Sequence, residues 1–200
     1  MEAFNAGGSS AYTSGNATTL PDPPTAPSNL TFSNITSTSI TLSWRDNSGD
    51  EDNFEIWRSL ASGGPYALVG TVGSGVETFN NTGLTNNTRY YYQVYATNAG
   101  GPSAAVSGSA ITLPIAPTAP SNLTFSSITN NSIRLNWTDN SNNEDGFRIE
   151  RSTSLGGTFV SVGTTGSGAI TFNNTGLSAD TEYFYRVYAF NSGGSSATYA

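Results

Sequence analysis

The stretch Ser39-Ile-Thr-Leu-Ser-Trp44-Arg-Asp-Asn-Ser48 decides the fold, and it returns as Ser132-Ile-Arg-Leu-Asn-Trp137-Thr-Asp-Asn-Ser141. Ile40, Leu42 and Trp44 alternate with Thr41 and Ser43, so in an extended chain the apolar three share one face and the polar residues meet water. An indole closing such a strand needs an apolar layer to enter, which predicts the centre of a β-sandwich core. The match extends well beyond the tryptophan. Trp137 follows Trp44 by 93 residues, and at that offset residues 24–32 repeat as 117–125 without a change. Residues 54–58, 79–84 and 90–96 recur as 147–151, 172–177 and 183–189, and no gap is needed. An internal repeat of this length points to two copies of one folding unit.

Within one unit, the alternation predicts a first strand around Leu30 and Phe32 and a second over 39–44. A third lies around Phe54 and Ile56, a fourth near 66–69, a fifth near 76–79 and a sixth over 90–96. A seventh follows the turn at Gly100 and Gly101. Seven short strands with turn signals every 8–12 residues are the pattern of an immunoglobulin-like sandwich. The unit resembles a fibronectin type III domain in its proline-rich entry, its second-strand tryptophan, and Leu84 followed six residues on by Tyr90, with Tyr92, Val94 and Ala96 alternating. The string Trp-x-Asp-Asn-Ser, then Glu, then Phe-x-Ile-x-Arg-Ser is similar to the versions found in secreted bacterial and archaeal proteins. The resemblance implies that Tyr90 and Tyr183 bond back to the backbone at the corner before the sixth strand. It also implies an all-β chain of two tandem sandwiches, 22–114 and 115–200, led by a segment of a third repeat at 1–21.

Composition narrows the functional classes. The chain has 200 residues, 36% hydrophobic and only 10% charged, with no His, no Cys and seven basic residues that are all Arg. Those absences remove histidine acid–base chemistry, cysteine nucleophiles, the usual zinc ligands and any catalytic lysine. No catalytic, cofactor-binding or metal residue is assigned, and no enzyme activity is expected. A net charge of -7 argues against nucleic acid and anionic membranes, since nothing would neutralise phosphates. No run reaches the ~18 apolar residues of a spanning helix. Met1 is followed by Glu2 and not by a basic-then-apolar leader, so no signal peptide is expected at this end.

Residues 3–11 resemble 96–104 and 189–197, and 15–21 resemble 108–114. The lead segment therefore reads as the end of a sixth strand and a whole seventh strand, while the second unit stops at Ala200, the counterpart of Ser107. A surplus edge strand and an incomplete edge are complementary. The link at 21–24 is too short, at ~3.3 Å per residue, to fold the lead segment back past a whole domain. Two expectations fit: head-to-tail strand donation between chains, giving a homopolymer fibre, or a window cut mid-domain from a longer tandem array of the same sandwiches. The rival expectation is a spacer or carbohydrate-binding accessory module of a secreted polysaccharide-degrading enzyme or surface adhesin. Both place the chain outside the cell.

Three sets of residues are candidate sites. Asp46, Asp50, Glu51 and Asp52, with Asp139, Glu144 and Asp145, crowd the loop after each Trp strand. They suit either a Ca²⁺ ligand set or, preferred here for want of an EF-hand spacing, a solvated loop of Asx-turns balanced by Arg45, Arg58 and Arg151. Trp57, whose counterpart is Glu150, should face outward, where it could stack on a sugar or cover a neighbouring strand. Asn-x-Ser/Thr triplets start at Asn16, Asn29, Asn34, Asn80, Asn86, Asn122, Asn130, Asn136 and Asn173. In a chain this rich in Asn and Thr most of these arise by chance; if the source glycosylates, the turn at Asn80 and Asn173 is the best exposed, and glycans are then a further expected partner.

Overall fold

A computed structural model describes residues 3–11 and 13–200 of the chain. Each repeat forms two antiparallel sheets. The short strands β1 (Phe4–Asn5) and β2 (Gly8–Ser9) come first, as a hairpin of their own. The first repeat then runs β3 (Ser28–Ser33), β4 (Ser39–Arg45), β5 (Asn53–Ser59), β6 (Ala67–Gly73), β7 (Thr78–Thr82), β8 (Arg89–Asn98), β9 (Gly101–Pro102) and β10 (Val106–Ile111). One sheet has the order β3-β4-β7; the other has β10-β8-β5-β6, with β9 also on β8.

In the second repeat the elements are β11 (Ser121–Ser126), β12 (Ser132–Thr138), β13 (Gly146–Ser152), β14 (Val160–Gly166), β15 (Thr171–Thr175), β16 (Phe184–Asn191) and β17 (Gly194–Ser195). Its sheets are β11-β12-β15 and β14-β13-β16-β17. Even the irregularities repeat. β5 and β13 both slip register by one residue on their fourth-strand partners, after Ile56 and after Ile149.

The alternation seen in the sequence becomes the core. Ile40, Leu42, Phe54, Ile56, Tyr92 and Val94 have no exposed surface, and Trp44 lies 5.6 Å from Phe54 between ring centroids. Leu135, Phe147, Ile149 and Val187 are equally sealed, with Trp137 and Phe147 5.4 Å apart. Both pairs are tilted, at 53° and 52° between ring planes, and not face-to-face stacked. Gly70 and Gly163 let the fourth strand approach: a Cβ on Gly70 would stand 2.4 Å from the Phe79 ring, and one on Gly163 2.7 Å from Phe172.

Three strand expectations shift. The fourth strand runs on to Gly73 and the fifth begins only at Thr78, because Val76 belongs to a turn around Gly75, whose φ of +70° no strand residue adopts. The seventh strand is split into β9 and β10. Between them Ser103 takes the Ala96 N–H on its Oγ and returns its own N–H to the Ala96 carbonyl. Asn29 and Asn122 sit at φ of +56° and +55° and bulge the first strand against its neighbour. Asparagine tolerates that region, which accounts for part of the Asn content.

The hairpin β1–β2 has the form of β8–β9 and β16–β17: Asn5, Asn98 and Asn191 each accept the N–H of the second residue beyond. Residues 13–21 are exposed and lie outside any strand. At the other end, Ala200 exchanges two backbone bonds with Val187. In the first repeat Val94 faces Val106, the counterpart of Tyr199, so the second repeat is displaced by one residue here. A one-residue slip turns every side chain over. Tyr199 accordingly packs on Tyr188 and Arg186, on the outer face, and not into the core as Val106 does.

Candidate functional site

The outward face of the sheet β10-β8-β5-β6 carries the chain's most distinctive surface. Strand alternation sends Glu55 and Trp57 of β5 and Gln93 and Tyr95 of β8 outward, and the ladder sets Trp57 beside Gln93 and Glu55 beside Tyr95. Tyr66 enters from the residue before β6, and Pro102 of β9 closes the side. Together the six line an open hollow of about 360 Å³. Trp57 is outward as expected, but half-buried among these neighbours.

Short hydrogen bonds hold the rings. The Trp57 indole N–H donates to Glu55 Oε2 (2.9 Å), and the Tyr95 hydroxyl donates to Gln93 Oε1 (2.9 Å). The Tyr66 hydroxyl donates to the Ser62 carbonyl (3.0 Å). Each polar edge is thus committed within the protein, and the ring orientations are fixed before any ligand arrives. Glu55 and Gln93 line the hollow along with the rings they hold, and no cation lines it.

The same place in the second repeat is built differently. Arg148, Glu150, Phe159, Arg186 and Ser195 replace Glu55, Trp57, Tyr66, Gln93 and Pro102, and only Tyr188 keeps its type. Arg148 pairs with Glu150 at 2.9 Å and lies over the Tyr188 ring, while Arg186 lies 3.7 Å above Phe159. Guanidinium groups cover the rings that the first repeat leaves open. Sequence reading singled out Trp57 but missed Tyr66, Gln93 and Tyr95. The signal was present in the outward positions on strands flanking Trp57.

The acidic loops do a structural job. Asp46 and Asp139 each accept the N–H two residues on, as Asx-turns (2.9 and 3.0 Å). Glu51 turns inward and accepts from the Ser74 hydroxyl (2.7 Å) and the Gly75 N–H (3.1 Å). Glu144 does the same with Ser167 and Gly168 (2.9 and 3.0 Å) and takes a third bond from the Ser141 hydroxyl. These donors hold both carboxyls below the ordinary carboxylate range. For Glu144, where the Ser141 hydroxyl contributes most, the value falls to about 2. In the first repeat Ser48 is drawn instead to Asp50, which is Asn143 in the second. Among the described residues, no three acidic side chains converge on one point.

Two expectations need correction. Arg58 and Arg151 do not balance the acidic loops. They donate to Asn81 and Asn174 (2.9 Å each) and lie over Tyr90 and Tyr183. The same two asparagines accept the buried Tyr92 and Tyr185 hydroxyls, so each repeat has one polar pin through its core. Burial in that pin pushes the Tyr92 hydroxyl well above its usual value. Asn80 and Asn173 are exposed but lie within β7 and β15, not in a turn, since the fifth strand is later than expected. The corner tyrosines sit as the resemblance implied: Tyr90 Oη accepts the Thr85 N–H at 2.9 Å, and Tyr183 Oη the Ser178 N–H at 3.0 Å.

Fold and site define a tandem β-sandwich module whose surface feature is an aromatic hollow on one repeat. The model of the fibronectin type III domain matches residues 25–109 and 118–200, and the chain belongs to that family. It is 35% identical over 182 residues to "Exoglucanase B" of Cellulomonas fimi, covering 86% of this chain and 16% of that protein. To "Chitinase A1" of Niallia circulans it is 30% identical over 182 residues, covering 86% of this chain and 24% of that protein. The chain therefore spans a quarter or less of these relatives. The solved chicken CNTN1 FN1-FN3 domains share the fold at a TM-score of 0.57 and 18% identity, over 90% of this chain and 67% of that one.

Proposed function

We propose that this chain is a non-catalytic accessory segment, acting as a spacer, within an extracellular polysaccharide-degrading protein. The observation that carries the reading is the pair of matches that take in both repeats yet occupy only 16% and 24% of an exoglucanase and a chitinase. The geometry suits a spacer. Each connector is seated on the hairpin of the repeat it enters: Asn98 donates to the Asp22 carbonyl (2.9 Å) and Asn191 to the Ile115 carbonyl (2.8 Å). Gly100 and Gly193 permit the approach, since a Cβ on either would clash with the carbonyl oxygen of Pro21 or Pro114. Pro24, Pro27, Pro117 and Pro120 are buried at the entries, which stiffens them further. Mass-spectrometric mapping of the native polypeptide tests the proposal. A secreted chain that also carries a polysaccharide-cleaving domain is expected; a polypeptide of sandwich repeats alone would overturn it.

A second reading, head-to-tail assembly of this 200-residue chain, is favoured by one observation. β10 bonds along β8 from Val106 to Ile111, whereas past β17 and the Ser196 bond to Ala189 the edge of β16 is met only by Ala200 at Val187, and Phe125 is 47% exposed where its counterpart Phe32 packs on the core. Residues 15–21 resemble the strand that fills this place in the first repeat. Sedimentation of the chain should then show concentration-dependent oligomers that vanish on deletion of residues 1–20. Monomers at all concentrations would contradict it.

A further inference from the structure

We infer that the hollow formed by Trp57, Tyr66 and Tyr95 is a binding platform for a neutral polysaccharide, of the glucan or chitin kind. The inference rests on the accessory role proposed above and names its ligand-contacting surface.

The chemistry of the hollow selects this ligand. Pyranose rings present C–H groups on their faces and hydroxyls around their rims. Aromatic rings carry negative π faces that attract such C–H groups, and a few fixed polar groups then set orientation. Trp57, Tyr66 and Tyr95 supply the rings, and the Gln93 amide and Glu55 carboxylate stand between them to meet hydroxyls. The rings are already tethered by Glu55, Gln93 and the Ser62 carbonyl, so little side-chain freedom is lost on binding. An acidic carboxylate at the site and a net charge of -7 select against anionic sugars and phosphates. At about 360 Å³ and open to solvent, the hollow suits a segment of a long chain passing across it.

The second repeat is an internal control. Its core residues match those of the first, so folding alone does not dictate what the outer face carries. Yet five of the six platform positions differ, and the replacements lay arginines over the remaining rings. Only one of two nearly identical sandwiches therefore presents bare aromatics in this position.

The test is affinity electrophoresis of the whole 200-residue chain through gels containing hydroxyethylcellulose or glycol chitin. It is paired with tryptophan fluorescence titrated with the corresponding oligosaccharides. Retardation in one or both gels is expected, with at least ~10-fold weaker binding for Trp57→Ala or Tyr95→Ala, as for aromatic anchors elsewhere. Tyr188→Ala, the matching change in the second repeat, should bind as the parent does. Trp44 and Trp137 are buried, so the fluorescence response should come from Trp57 and vanish in Trp57→Phe. Gln93→Arg, which installs the second repeat's residue, should abolish binding with thermal unfolding unchanged, separating the site from the fold. No retardation of the parent chain in either gel, or equal retardation of Trp57→Ala, would overturn the platform. Either result leaves the spacer role standing. A native polypeptide without a polysaccharide-cleaving domain would sink that role and leave the binding result intact.

Discussion

Removing the Glu144 carboxylate should weaken the second repeat by a specific and pH-dependent amount. Glu144 is only 7% exposed and accepts three hydrogen bonds, from Ser141, Ser167 and Gly168, which tie the loop after the Trp strand to the turn between β14 and β15. Glu144→Ala strands the Gly168 N–H and two hydroxyls. Hydroxyls can rotate toward water, so the cost is dominated by one charge-assisted bond and comes to ~2 kcal/mol. For a domain of this size that is a fall in melting temperature of ~10 °C. Glu144→Gln keeps the shape and one acceptor oxygen and should lose ~1 kcal/mol. The pH dependence follows from the carboxyl's fall to about 2 in the folded chain. In the unfolded chain it titrates at ~4.3. Because the folded value is the lower one, the contribution is fully present above the unfolded value and is lost as pH falls toward 2. Calorimetry or urea unfolding between pH 2 and 6, followed at Trp137, reads both effects. If Glu144→Gln is as stable as the parent at pH 6, or loses stability with acid just as steeply, the clasp is not what holds this turn.

Four further outcomes follow from the packing. Gly70→Ala sets a methyl against the Phe79 ring and should cost ~1–3 kcal/mol in urea unfolding. Gly73→Ala, where a Cβ meets nothing within 4 Å, should stay within ~0.5 kcal/mol of the parent. Tyr90→Phe removes the acceptor of the Thr85 N–H and should destabilise the first repeat alone by ~1 kcal/mol, leaving the second repeat's transition in place. Asn174→Leu takes away the acceptor shared by Arg151 and the Tyr185 hydroxyl and should cost ~2 kcal/mol, again by urea unfolding.

The core was legible because its signal is local and doubled. Ile40, Leu42 and Trp44 alternate at the strand period, and the same residues stand at 133, 135 and 137. The corner tyrosines were legible through the family resemblance, which implies their backbone bond at the positions of Tyr90 and Tyr183. What sequence left hidden depends on partners far along the chain. Arg58 reaches Asn81 and Arg151 reaches Asn174, 23 residues on, and composition cannot tell such a pin from a surface charge. Glu51 and Glu144 looked like two more members of an acidic run, yet they alone turn inward, toward serine and glycine of a distant turn. The aromatic hollow was half legible. Trp57 was visibly outward, but its companions became apparent only once the ladder had set β8 beside β5.

The central proposal is that these repeats serve a polysaccharide-acting protein without doing its chemistry. The most direct measurement compares that native polypeptide with a version lacking residues 22–200, on a soluble oligosaccharide and on the insoluble polymer. The expected result is unchanged turnover of the soluble substrate and a severalfold loss on the insoluble one. Equal loss on both would place catalytic groups within the repeats, and no loss on either would deny them an accessory role.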